Sequence, residues 1–73
     1  MFKKKEKLYE RGFVFDYEVD FIDGAREIRT GWVKAMHIEN ALDRASMWIE
    51  ERVESDDLIE GATLIRVERE DLE

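Results

Sequence analysis

Phe13-Val-Phe-Asp-Tyr-Glu-Val-Asp-Phe-Ile22 decides how this chain folds. Phe13, Phe15, Tyr17, Val19 and Phe21 alternate with Val14, Asp16, Glu18, Asp20 and Ile22. A strand points successive side chains to opposite faces, so this alternation predicts one apolar face and one largely acidic face. Asp23-Gly24 follows. That pair favours a two-residue type I′ hairpin turn, because both central positions need positive φ. A second strand is predicted from Arg26 to Ala35. The two-residue turn sets Val19 opposite Ile28, Tyr17 opposite Thr30 and Phe15 opposite Trp32. Ile28, Thr30 and Trp32 then share the aromatic face. On the other face Glu18 meets Arg29, Asp20 meets Glu27 and Asp16 meets Gly31. A bulge at Gly31 is the alternative that would swing Val33 and Ala35 inward.

Residues 38–54 carry a different period. Ile38, Ala41, Leu42, Ala45, Ile49 and Val53 recur at helical spacing, with Trp48 on their flank. Glu39, Asp43, Met47, Glu50, Glu51 and Glu54 form the opposite face. His37 falls at the N-cap position, and Glu39 in the first turn suits the helix dipole. Ser55-Asp56-Asp57 opens a loop that Gly61 ends, and Thr63–Arg69 reads as a third strand. Thr63, Ile65 and Val67 lie on one side of it. The order β-β-α-β predicts an α+β domain of two layers, a three-stranded sheet on one amphipathic helix. The crossover through the helix can bring the third strand parallel to a hairpin strand. The expected core is Phe13, Phe15, Tyr17, Val19, Ile28, Trp32, Leu42, Ala45, Ile49, Val53, Ile65 and Val67.

The chain has 73 residues, enough for one domain. Residues 12–69 are assigned to it, residues 1–11 to a flexible basic arm and residues 70–73 to a frayed tail. Hydrophobic residues make up 44% and eight residues are aromatic, enough for a small core despite 42% charged residues. Cysteine is absent and there is one histidine, which excludes disulfides, thiolate metal sites and multi-histidine sites. No apolar run approaches the length of a membrane span and no signal-peptide core is visible, so the expected location is cytoplasmic with no membrane partner.

Catalytic signatures are missing. None of Thr30, Ser46, Ser55 and Thr63 has a histidine at a motif spacing, and His37 is the only imidazole. Gly12, Gly24, Gly31 and Gly61 are isolated, so no phosphate-binding loop forms. Asp56, Asp57 and Glu60 lack the ligand spacing of a calcium loop. An exposed carboxylate without a desolvating pocket has no shifted pKa to use. The chain is therefore read as non-enzymatic, without cofactor or metal.

Its one feature above background is where the acid sits. Nineteen Asp and Glu face twelve Lys and Arg, a net charge of −7. Lys3, Lys4, Lys5 and Lys7 lie in the arm, so the body is more acidic than the total. Such a body repels phosphates, which disfavours direct nucleic-acid binding. Residues 39–60 hold Glu39, Asp43, Glu50, Glu51, Glu54, Asp56, Asp57 and Glu60 against Arg44 and Arg52. On the first strand Asp16, Glu18 and Asp20 point the same way, separated by roughly 6.8 Å. Phosphates along a DNA strand are comparably spaced, so both rows can pair with a basic track that normally grips phosphates. The expected partner-binding set is Asp16, Glu18, Asp20, Glu39, Asp43, Met47, Glu50, Glu51, Glu54, Asp56 and Asp57. Met47 and Trp48 are its candidate apolar centre.

In size, lack of cysteine, acidity and the rows Asp16/Glu18/Asp20 and Glu50/Glu51/Glu54, the chain resembles the small acidic host-takeover proteins of bacteriophages that act as DNA mimics. A Bacillus-phage inhibitor of the nucleoid protein HU is of this kind. The resemblance implies a protein that occupies the DNA-binding surface of a basic host protein, with HU the favoured target. The domain is expected to be a monomer or weak dimer, and the cytoplasm is that of the bacterial host if the protein is phage-encoded. A second resemblance rests on Val33-Lys-Ala-Met-His-Ile-Glu-Asn-Ala41 and Leu64-Ile-Arg-Val67. These are similar to small ribosome-associated β-β-α-β modules such as the archaeal ribosomal LX type, which implies an assembly role instead.

Overall fold

The structure is a computed structural model that describes residues 10–70. The elements are β1 (Arg11–Phe21), β2 (Arg26–Ala35), α1 (Ile38–Ser55) and β3 (Ile59–Arg69). The architecture is the expected α+β arrangement, β-β-α-β with a three-stranded sheet and one helix. The strand order is β2-β1-β3 and both pairings are antiparallel. The alternating strand that opens the fold is therefore its centre. β3 runs in the same direction as β2 but on the far side of β1, so the crossover through α1 joins the two edges.

Most of the basic arm, residues 1–9, lies outside the described residues, as do residues 71–73. Arg11, assigned to the arm, already pairs with Ala35 in the sheet. Glu70, assigned to the tail, is instead held. Its N–H donates to the Gly12 carbonyl at 3.0 Å, and its Oε1 accepts the Trp32 indole N–H at 2.9 Å. β3 also starts earlier than expected, so Gly61 lies within the strand opposite Asp20 rather than ending a loop.

The hairpin register differs from the expected one by one residue. Phe15 faces Gly31, Tyr17 faces Arg29 and Val19 faces Glu27. The cause is the turn. Its loop is Ile22-Asp23-Gly24, with Gly24 N–H donating to Phe21 O at 2.9 Å and Phe21 N–H to Ala25 O at 2.8 Å. Only Gly24 has positive φ, at +94°, a conformation that costs glycine nothing. A three-residue loop closing on a left-handed glycine is the next hairpin class after the two-residue turns. Asp23 braces it by accepting the Ala25 N–H at 2.9 Å.

A one-residue shift turns every β2 side chain to the other face. Ile28 and Trp32, expected in the core, are 62% and 46% exposed, while Val33 and Ala35 are buried. No bulge at Gly31 is needed for this. The irregularities fall on β3, where Ile65 and Glu60 are the extra residues beside Asp16/Tyr17 and Asp20/Phe21. The first of these turns Ile65 out of its expected core position, leaving it exposed.

Four large side chains of β1 fill the core: Phe13, Phe15, Tyr17 and Val19 are all buried. Small residues oppose them. α1 buries Ala41, Ala45 and Ile49, while Leu42, expected inside, is 41% exposed. Trp48 explains this rotation. Its ring meets Phe15 and Tyr17 edge-on at centroid distances of 5.2 and 5.5 Å, a favoured aromatic geometry. Seating that indole on the β1 aromatics turns the alanines to the sheet and Leu42 to the rim.

Candidate functional site

The helix covers one face of the sheet, and the other carries the row Asp16, Glu18 and Asp20 along the central strand. With the shifted register, Asp20 faces Arg26, not Glu27, and Glu18 faces Ile28, not Arg29. The like-charge pair expected across the hairpin is absent. Arg26 lies 3.3 Å from Asp20 and 4.0 Å from Glu18. Arg66 lies 4.0 Å from Asp16, which also accepts the Thr30 hydroxyl at 3.1 Å. Three carboxylates thus sit between two guanidinium groups from the flanking strands. Exposed pairs contribute about 0–1 kcal/mol each, but they offset part of the local negative charge. Trp32, Ile28 and Val14 occupy the same face, so it is mixed in charge and partly apolar rather than an acidic stripe.

Two arginines have their pKa held above the ordinary value. The hydrogen bond that Arg29 donates to the Glu27 carboxylate does this for Arg29, and the one that Arg66 donates to Glu68 does it for Arg66. Both stay cationic at any physiological pH and serve as fixed counter-charges. Arg29 lies on the helix-covered face, with its guanidinium 5.6 Å from the Phe21 ring centroid.

The helix row is different. Glu39, Asp43, Glu50 and Glu54 are spaced four, seven and four residues apart, within about 60° around the helix and over about 22 Å of its length. All four are exposed. Among the described residues, none of them has a cation within ion-pair distance. Both helix arginines point elsewhere: Arg44 donates to the Lys34 carbonyl at 2.7 Å and pairs with Glu10 at 3.2 Å. Arg52 lies over the Trp48 ring, 4.2 Å from its centroid. Met47, 61% exposed, flanks the row. Glu51 is exposed about a sixth of a turn beyond it.

Beyond Glu39, whose place in the first turn suits the helix dipole, folding gains nothing from these acids. Glu39–Asp43 and Glu50–Glu54 are like-charge pairs at i,i+4, each unfavourable by about 0.2–0.5 kcal/mol. Glu50, Glu51 and Glu54 also sit toward the negative end of the helix dipole.

The remaining site residues have separate roles. Asp56 is the C-cap residue and its Oδ1 accepts the Leu58 N–H at 3.0 Å. Asp57 is exposed in the turn that follows. Trp48 belongs to the packed layer under the helix, so Met47 alone remains as an apolar residue beside the row. His37 is the N-cap residue, and its side chain makes no cap hydrogen bond. Among the described residues no charged side chain is buried, no group of three acidic or imidazole ligands converges on a metal site, and no helix is long and apolar enough to cross a membrane.

The sequence reading missed Trp32, Ile22 and Leu58 as surface features. Leu58 was detectable as a lone apolar residue in the acidic loop Asp56-Asp-Leu-Ile-Glu60. The exposure of Trp32 was hidden behind the register.

No protein family, curated protein or solved structure matches this chain.

Proposed function

We propose that the protein is a non-enzymatic binding module that docks the acidic face of α1 onto the DNA-binding surface of a basic protein and competes with DNA for it. The single observation that carries this reading is the row Glu39, Asp43, Glu50 and Glu54, exposed and without a counter-cation among the described residues. A run of uncompensated carboxylates on a rigid rod is complementary to a lysine and arginine track built for phosphates. Such complementarity speeds encounter and selects partners. Each rim pair adds little, so Met47 supplies the desolvated contact. The sheet row Asp16, Glu18 and Asp20 has its own arginines and is not the contact surface in this reading. The nucleoid protein HU is the first partner to test, because the chain resembles phage proteins of that kind.

Titration of the protein into a preformed HU–DNA complex tests the reading in a gel shift. Released DNA, with no band from the protein and DNA alone, is the expected result. An intact complex at large excess removes HU. The same outcome with a panel of basic DNA-binding proteins overturns the mimicry. The uncovered sheet face with Val14, Ile28 and Trp32 favours a second reading, an assembly or ribosome-associated module. That role predicts no competition with DNA.

A further inference from the structure

At the hairpin end of the sheet a cleft of about 330 Å³ opens between Phe21, Ile22, Asp23, Ala25 and Leu58. Two loops form it, and the Ile22 N–H donates to the Leu58 carbonyl at 3.0 Å to tie them together. The Leu58 side is fixed by Asp56, whose Oδ1 accepts the Leu58 N–H and whose carbonyl accepts the Ile59 N–H at 3.1 Å. The two loops therefore hold each other in place. Yet Ile22 and Leu58 are 62% and 61% exposed, although apolar side chains of that size are favoured in the interior.

Carboxylates predominate around the cleft, and the cation nearest its lining among the described residues, Arg29 over the Phe21 ring, is paired with Glu27. Asp23 lines the cleft, and Glu54, Asp56, Asp57 and Glu60 flank Leu58 in the chain. Residues 21–25 and 53–60 contain no lysine or arginine. The nearest in sequence on the hairpin side, Arg26, faces the open sheet surface and pairs with Asp20. The volume is at the small end of the range for ligand pockets, about 300–1,000 Å³, which suits one protruding side chain.

We infer that this cleft receives a single large apolar side chain flanked by lysine or arginine from a basic segment of the partner. The inference rests on the acidic-helix reading, since the row on α1 ends at Glu54, four residues before Leu58 in the chain, and the two surfaces would engage one partner. Charge selects the occupant: an acidic or neutral apolar segment meets the same lining but gains nothing from Asp23 or from the acids that flank Leu58 in the chain. A second copy meeting the first cleft to cleft is disfavoured, because both cleft ends carry the same acids.

The probe is a peptide with one leucine between two pairs of lysines, titrated into the full chain and followed by methyl NMR. Its leucine-to-serine counterpart is run in parallel. Shifts centred on Ile22, Ala25 and Leu58, with affinity at least roughly tenfold lower for the serine peptide, are the expected result. Ile22→Ser and Leu58→Ser should each weaken the leucine peptide to a similar degree while leaving the spectrum folded. Equal affinity for the two peptides, with shifts confined to Glu39–Glu54, overturns the cleft and leaves the helix reading standing. Absence of any shift at the cleft also overturns it, and the helix reading is then decided by the DNA competition alone. Cleft methyl shifts that follow protein concentration, with a matching rise in sedimentation mass, overturn it in favour of self-association.

Discussion

The ring of Phe15 occupies the space that a side chain at Gly31 would fill. The two residues are direct partners across the hairpin, and a Cβ built on Gly31 runs into the far end of the ring. The ring cannot move aside easily. It is 1% exposed and contacts Tyr17 and Trp48. Gly31→Ala should therefore destabilise the domain by about 1–3 kcal/mol, the usual cost of overpacking. Urea denaturation reads this as a lower midpoint, and an unchanged midpoint would place the ring elsewhere.

The register gives a paired test on one strand. Val33→Lys puts a charge into the apolar core, at a cost large enough to unfold a small domain. Ile28→Lys adds the same charge to an open face and should change stability by no more than about 0.5 kcal/mol. Circular dichroism melts of the two variants decide the matter. The opposite order of stability would restore the register of a two-residue turn.

Helix rotation is tested by Ile49 and Leu42. Ile49→Ala removes a buried side chain and should cost about 2–5 kcal/mol. Leu42→Ala, at the rim, should cost less than about 1 kcal/mol. Equal losses in chemical denaturation would show that the helix presents Leu42 inward.

The two tryptophans should differ in solution. With Trp48→Phe, the remaining Trp32 is half-exposed and acrylamide should quench it strongly. With Trp32→Phe, the remaining Trp48 sits against two aromatic rings under Arg52 and should be quenched less. Equal quenching constants would contradict the packing of Trp48 on Phe15 and Tyr17.

Stability and binding should separate at Glu54. Glu54→Lys replaces a like-charge pair with a Glu50–Lys pair and puts a cation near the negative end of the helix dipole. The expected gain is about 0.3–1 kcal/mol. The same change shortens the acid row and should weaken competition with DNA. A variant that melts higher yet competes as well as the parent would remove Glu54 from the contact surface.

Sequence reasoning located the elements because each rests on a local signal. The alternation in 13–22 and the helical spacing after Ile38 need no knowledge of the rest of the chain. Register and rotation are set by fit between elements. Asp23-Gly24 is compatible with loops of two or three residues, and only the placement of Ile22 distinguishes them. The choice follows from bulk: β1 brings four buried side chains, three of them aromatic, and β2 meets them with Gly31, Val33 and Ala35. Size therefore misled at Trp32, Ile28 and Leu42, where large apolar residues are not the ones that fit. The acid rows were legible as residues but not as electrostatics. Whether a carboxylate has a counter-charge depends on where Arg26, Arg44, Arg52 and Arg66 point, and that depends on the same register and rotation.

Strand order also sets the sequence of events in folding. β1 precedes both of its neighbours in the chain and becomes the centre of the sheet, while its second neighbour, β3, follows only after β2 and α1. Phe21 and Ile59 are partners with all of β2 and α1 between them. The hairpin closes over a few residues, but β1 satisfies its second edge only after a long loop has been closed, an entropic cost that precedes any return from the contacts made. Arrival of β3 should therefore set the folding rate. A nascent chain still lacking residues 59–69 presents a bare edge on its most apolar strand, the template on which aggregation begins.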